Sequence, residues 1–579
     1  MKKIFNRAML LVAAATCMGF MVSCDDDDLP AMDGLFRPVI NDNDNITHGL
    51  DADNYPYMII NWDNYASANQ YTIKIEANDG TDTREVSTDT TFYRFDHLQY
   101  DKEYNISLYS QNTASGLQSK PFTLTTTSLD YPTMLQSIQA NDIVDNAVRV
   151  RWNDNADYDQ LLVYKESDNT LVKEVTLSSD MLSALSTIVD ELEPRTAYRV
   201  EAYKNGEYLG KKRFTTVAAE SFSGSVIDLR NLPDSVTKSY FNSDQLLLDV
   251  EAAEGQDLTY VLKGGYQYKI SGGTALPGTT QKIKFVTGLT LEGNATFLQS
   301  GGFSMVSGAE INTVEFEKID FISDRTNGGD YAVETNHDKG WGGRQVFNVN
   351  GTKATMKNLI YTSCSFTGYR AVCRAQSNND HVNNITFDGC LINCIGDQGV
   401  ITTTNKDADW QSVTMKDCTI TNIVMLCDLR STLNTLKFNI ENCTFCYAPI
   451  ETNANGNTPM FRLGTNNVEL NIKNTLFGPS MMSEDSSGGS IYTYNAGTIG
   501  SIMLSGTPAN LNIDNSYKTN FAWTDLGTEE APKIYPLDGI GELSLSETDL
   551  WSNPTKGVFN IIGSQTGVDL KILGDSRWH

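Results

Sequence analysis

Two short stretches of this chain place charged groups where a β-strand would turn them outward. In Ala371-Val372-Cys373-Arg374-Ala375-Gln376, small apolar residues alternate with Arg374 and Gln376. In Met425-Leu426-Cys427-Asp428-Leu429-Arg430, the alternating polar residues are Asp428 and Arg430. Strand side chains point to opposite faces in turn, so these groups face solvent while the cysteines face a core. Arg374 and Asp428 each lie ten residues past a cysteine, Cys364 and Cys418, with Gln398 and Thr402 between them in sequence. Phe461-Arg462-Leu463 adds Arg462 to the same side. Guanidinium groups match carboxylates in two-point geometry, so the ligand that would exploit such a strip is an anion. A solvated ladder in which Arg and Asp neutralise one another is the competing reading.

A second set of candidates lies in Asp324-Arg325-Thr326-Asn327-Gly328-Gly329-Asp330 and His337-Asp338-Lys339-Gly340-Trp341-Gly342-Gly343-Arg344. Trp341 could stack on a sugar ring, and Arg325, Lys339 and Arg344 could meet a carboxylate. A cap held by tight glycine turns is the alternative for this segment. Trp410, expected on a loop over 405–411, is a further stacking candidate. Catalytic triads, phosphate loops and metalloprotease helices have no counterpart in the sequence.

The elements that must position these residues follow from a repeat. The pattern apolar-x-apolar-x-x-(Cys/Thr)-x-apolar begins at Val314-x-Phe316-x-x-Ile319-x-Phe321 and Leu359-x-Tyr361-x-x-Cys364-x-Phe366. It returns at Ile385, Val413, Phe438 and Leu470, with sixth positions Cys390, Cys418, Cys443 and Thr475. Successive sixth positions are 45, 26, 28, 25 and 32 residues apart. A period in the twenties, built of short strands and Asn/Gly turns without helices, signals a parallel β-solenoid. One coil cannot bury its own inner face, so coils stack and equal offsets lie above one another. At about 4.8 Å per coil, groups two coils apart stand roughly 10 Å apart, close to two sugar units.

Eight of the ten cysteines lie between Cys364 and Cys446. An even number in an exported chain invites disulfides. The shared inward offset of Cys364, Cys390, Cys418 and Cys443 favours buried free thiols instead. The histidines are scattered, and no CxxC pair is matched by a His pair, which argues against a structural zinc site.

Residues 38–217 hold a different repeat. Trp62 is followed by Leu98 and Tyr104, and Trp152 by Leu192 and Tyr198, with Trp-to-Tyr spacings of 42 and 46. Short alternating strands between Asp/Asn/Gly turns indicate sandwiches. A core Trp on an early strand and a corner Tyr before a late strand resemble the fibronectin type III family. Two such modules are expected, over 38–128 and 129–218.

At the N-terminus, Lys2, Lys3 and Arg7 precede an apolar run from Ala8 to Val22 that ends in Met21-Val22-Ser23-Cys24. This reads as a lipoprotein signal over 1–23 with Cys24 acylated, followed by a tether over 24–37. Cys24-Asp25-Asp26-Asp27-Asp28 resembles the acidic export signal of surface lipoproteins in Gram-negative glycan degraders. The resemblance implies an outer-membrane lipid anchor facing outward.

Lys plus Arg total 44 and Asp plus Glu 72, a net charge of −28 with the acidity concentrated in residues 25–217, the tether and the two modules. Such a chain repels a phosphate backbone, which excludes a nucleic-acid partner. Apolar residues make up 40% and charged residues 20%, a balance unlike disordered or polytopic membrane chains. The fold class expected is all-β: two fibronectin type III-like sandwiches, then a right-handed parallel β-helix over 219–579.

The solenoid pattern resembles the pectate-lyase-like right-handed β-helix superfamily. Residues 285–420 are similar to an uncharacterised β-helix family of glycan-foraging bacteria. Leu550-Trp551-Ser552-Asn553-Pro554 and Gly574-Asp575-Ser576-Arg577-Trp578 are similar to the close of its companion family, with Ser576 where Pro is usual. Two functions are implied. As a polysaccharide lyase, the protein would use Arg374 or Arg430 to abstract a proton beside a uronate. Acidic residues would then hold Ca²⁺ against the carboxylate, with Asp428 clearly placed and Asp397 on a turn. As a surface glycan-binding protein, it would hold an acidic polysaccharide for partner enzymes and an importer complex. Lyases of this fold cluster several Asp ligands on parallel strands, and the single placed Asp428 favours binding.

Overall fold

The computed structural model describes residues 34–40, 45–230, 232–324, 345–351, 353–377, 379–430, 436–451, 459–463, 468–485, 490–493, 503–505, 510–521, 534–537 and 539–579. The chain is mostly β, with 51% strand and 8% helix, and it separates into two compact units. Cys24 and its acidic tract, and the whole of 325–344 with Arg325, Trp341 and Arg344, lie outside the described residues.

The first unit comprises 1–138, 150–187 and 197–214. Its first module sets an antiparallel sheet of Ile46–Leu50, Pro56–Asn61 and Phe92–Phe95 against one containing Thr83–Thr88, Gln70–Ala77, Glu103–Asn112 and Phe122–Thr127. Along Pro56–Asn61 every second residue is buried, as a strand with one face on a core requires. Trp62 meets Tyr71 edge-on at 5.6 Å inside that core. Tyr104 is fully buried, and its hydroxyl donates to Asp82 (3.0 Å) while accepting from the Gln99 backbone (3.3 Å). That hydrogen-bonded corner is why a Tyr, rather than a Phe, follows Leu98. The second module repeats the arrangement on Leu171–Thr176, Gln160–Lys165, Ala197–Lys204 and Glu207–Thr215, with Trp152 and Tyr198 buried.

The second unit comprises 139–149, 188–196 and 215–579, and a parallel β-solenoid of about seven turns occupies 258–542. The sequence motif is its coil. First positions Val314, Leu359, Ile385, Val413, Phe438, Leu470 and Leu511 pair in strict succession. Eighth positions Phe321, Phe366, Ile392, Ile420, Phe445 and Phe477 do the same. Third-position rings stack inside, with Phe316, Tyr361 and Phe387 spaced by 5.2 Å.

The fifth motif position turns the corner in the left-handed region, at Asp417, Asn442, Asn474 and Asn515 (φ between 44° and 53°). Asn and Asp tolerate that region better than other side-chain-bearing residues, and Gly389 fills it in the coil before. The amides also bond from coil to coil: Asn442 donates to Asp417 (3.1 Å), Asn474 to Asn442 (3.2 Å) and Asn515 to Asn474 (2.8 Å). Sixth-position heteroatoms accept from the preceding coil, Cys418 Sγ from the Cys390 N–H (3.4 Å) and Thr475 Oγ1 from the Cys443 N–H (3.4 Å). A side-chain S or O at this column satisfies a corner N–H, which explains the Cys/Thr choice.

The solenoid is narrower than the 219–579 expected, because end coils expose an apolar face that must be closed. Before it, the helix Ser243–Ala252 buries Leu246, and its Asp249 accepts from the Tyr260 hydroxyl (2.8 Å). After it, Trp551–Asn553 and Val558–Ile561 form an antiparallel hairpin. The final residues then run back across the coils. The Gly574 N–H donates to Asn474 (2.8 Å), the Asp575 N–H to Thr444 (3.0 Å), Trp578 Nε1 to Thr419 (2.7 Å) and Arg577 to the Gly389 carbonyl (2.6 Å).

All eight described cysteines are free and buried. Burial pushes the Cys373 and Cys394 thiols up to about 12 and raises those of Cys364 and Cys427 as well. The thiolate is the reactive form, so native protein at pH 8 should be inert to thiol reagents at these positions. Denaturation without reductant should release all eight, and a count below about six would mean disulfides.

Candidate functional site

One outward column crosses the solenoid. Asn348 pairs with Arg374, Arg374 with Thr402, Thr402 with Asp428 and Asp428 with Arg462. The strands Ser365–Ala375, Leu391–Thr403, Cys427–Leu429 and Phe461–Arg462 carry it. Their inward neighbours Cys373, Ile401, Cys427 and Phe461 are fully buried and stack on one another, which fixes the height of each outward side chain. Thr402 is itself buried and donates to the Asp428 carbonyl (2.9 Å), so it spaces the charged groups rather than presenting one.

Arg374 is held by neutral groups. Its Nε donates to Asn348 Oδ1 (2.9 Å) and its Nη2 to Gln376 Oε1 (2.6 Å). Asn348 also donates to Gln376 Oε1 (2.9 Å), so three side chains lock one another. Among the described residues Arg374 makes no ion pair. Desolvation, reinforced by the charge of Arg370, lowers its guanidinium below the usual arginine range. Arg370 is paired in a fork with Asp397 (2.7 and 3.1 Å). Arg374 therefore keeps a partly buried charge at fixed orientation that no carboxylate among the described residues compensates.

Two coils on, Asp428 is clamped. Its side chain is only 3% exposed, and Oδ2 accepts from Arg430 (2.9 Å) and Arg462 (3.4 Å). Arg430 is 58% exposed and Arg462 40%, so both guanidinium groups keep donors toward solvent. Among the described residues nothing donates a hydrogen bond to Asp428 Oδ1. Two arginines on one carboxylate leave this cluster with an excess positive charge. Ca²⁺ needs six to eight oxygen ligands of largely negative character. Asp428 instead faces two cations, and among the described residues it belongs to no metal-sized group of three or more Asp, Glu, His or Cys side chains. The residues present do not fit calcium, and no step is routed through it.

Trp410 corrects an expectation. It lies on the strand Asp409–Lys416 rather than on a loop, is 3% exposed, and donates from Nε1 to the Thr402 carbonyl (3.1 Å). A ring facing the interior offers no platform for a sugar. Gln398 is tied to Gln345 (3.1 Å) beside the column. Asn348 was missed in the sequence because the 45-residue step hides its register, although it sits next to the buried Phe347 exactly as Arg374 sits next to Cys373.

No family model matches the chain, and no curated protein matches it. Among solved structures, a two-domain fibronectin type III segment of chicken tenascin is 21% identical over 30% of this chain and 100% of its own, with a TM-score of 0.15. The FN1–FN3 domains of chicken CNTN1 are 15% identical over 32% of this chain and 68% of theirs, with a TM-score of 0.14.

Replacing Asp428 by Asn should release Arg430 and Arg462 from their counter-ion while keeping the side-chain shape. Calorimetry should show no saturable Ca²⁺ site at this cluster, in the wild type or in Asp428→Asn. A saturable Ca²⁺ site that Asp428→Asn removes would restore the metal-ligand role.

Proposed function

We propose that the protein is a surface lipoprotein that holds an acidic, uronate-containing polysaccharide along the outward column of its solenoid. The observation that carries this reading is Arg374, a partly buried cation oriented by two amide oxygens and left without a carboxylate among the described residues. Desolvating a charge is costly unless a partner compensates it. A ligand carboxylate supplies that partner with two-point geometry. Arg430 and Arg462, about two and three coils away, extend the positive strip at a spacing of roughly 10–15 Å, and they do so on a chain of net charge −28.

The Met21-Val22-Ser23-Cys24 lipobox and the acidic tract after it support an outer-membrane anchor through acylated Cys24. The protein would there present glycan to a glycan importer complex and to enzymes. Lyase chemistry draws on the same Arg374, whose burial eases loss of its proton. Its two donated hydrogen bonds, however, stabilise the charged form, which binds and does not abstract.

Arg374→Ala should weaken binding of polygalacturonate by about 1.5–3 kcal/mol, the range for a hydrogen bond to a charged group. Arg374→Lys should recover only part of that, because an ammonium lacks the fork. Absorbance of unsaturated uronate recorded in the same titration separates the functions. Binding without product supports the binding reading; product that vanishes in Arg374→Ala with affinity retained would make the protein a lyase.

A further inference from the structure

The turn Asp51-Ala52-Asp53-Asn54-Tyr55 joins two strands of the first module, and Asp51 organises it. Asp51 Oδ1 accepts from the backbone N–H groups of Asp53 (3.0 Å) and Tyr55 (2.9 Å). Its other oxygen, Oδ2, points away from the turn to the His97 ring, and the side chain is only 7% exposed. Facing Oδ2 at 3.1 Å is Nδ1 of His97, and Asp53 Oδ2 lies 3.3 Å from Nε2 of the same ring. One ligand atom from each of the three residues falls within 4.8 Å of the other two.

The framework around these atoms is already ordered. The Leu98 N–H donates to the Pro56 carbonyl (2.8 Å), and the Tyr100 hydroxyl donates to the Asn54 carbonyl, so the two segments are tied on both sides of the cluster. Tyr55 stacks on the His97 ring at 5.3 Å. His97 itself holds a left-handed backbone (φ 54°), which fixes the direction in which its ring leaves the turn. Asp53 is 71% exposed, and its carboxylate can turn to whichever ring nitrogen is used.

We propose that Asp51, Asp53 and His97 form a site for a divalent transition metal of the Zn²⁺ class. Imidazole nitrogen with carboxylate oxygen is a donor set such ions accept, and ligands near 2 Å from a tetrahedral ion stand roughly 3.3 Å apart. The Asp51–His97 separation already matches that edge. The metal would bind between Asp51 Oδ2 and the ring nitrogen that now faces it, and leave a coordination position toward a neighbouring cavity of about 500 Å³, lined by His97, Tyr55, Tyr100 and Tyr131. The Cys/His zinc patterns excluded from the sequence do not cover this arrangement, because its ligands come from separate turns and include no cysteine.

The test is calorimetric titration of the metal-stripped full chain with ZnCl₂ and, separately, CaCl₂. One saturable Zn²⁺ site is expected, weakened at least tenfold by Asp51→Asn and by His97→Gln and unaffected by His381→Gln. Asp51→Asn keeps an oxygen for the turn, so its effect reads metal binding rather than loop collapse, and an unchanged unfolding temperature without metal confirms that. No saturable Zn²⁺ binding, binding that survives His97→Gln, or binding removed instead by His381→Gln would overturn the proposal. Equal Ca²⁺ affinity that is indifferent to His97 would also overturn it, since the acids alone would then be responsible.

Discussion

Backbone hydrogen bonds between successive coils hold residues of equal offset one above another at about 4.8 Å, and the solenoid depends on that single spacing. A coil buries its apolar residues only against the coils above and below. Each inward column therefore has to be compatible with itself. The rings of Phe316, Tyr361 and Phe387 stack nearly face to face, the sixth positions pass hydrogen bonds to the neighbouring coil, and the corner amides form a ladder. These are three solutions to one constraint.

The outward columns inherit the same spacing without the same need for apolar residues. Charged groups placed there are held at fixed heights by the packed residue next to each: Arg374 by Cys373, Asp428 by Cys427, Arg462 by Phe461. A rigid array of this kind loses little side-chain freedom on binding an extended polymer. Its local chemistry is uneven. Asp428 is neutralised by two arginines, whereas Arg374 is held by amides alone. The strip is thus more than a ladder of cancelling charges, and the excess charge sits where burial makes it most costly to leave unpaired.

Much of this architecture can be read from residue spacing, because a solenoid converts sequence offset directly into position. The ten-residue distance from Cys364 to Arg374 and from Cys418 to Asp428 places both in one column, as the strand pairing shows. Where the offset rule is interrupted, reading fails. The long step before Cys364 hides Asn348, and the polar run before Trp410 hides that Trp410 already stands on a strand, at the same inward offset as Met356 and Val382. The caps at both ends escape the repeat because they exist to stop it. In the modules, Asp51 and His97 meet only because two turns of one sandwich lie side by side, a juxtaposition that no local spacing encodes.

The account turns on whether a ligand carboxylate completes Arg374. The most direct measurement compares polygalacturonate with the same polymer after its carboxyl groups are reduced to alcohols, at matched chain length and low salt. The account predicts that reduction abolishes measurable binding and that added salt weakens binding of the acid form alone. Equal affinity for the acid and the reduced polymer would contradict it.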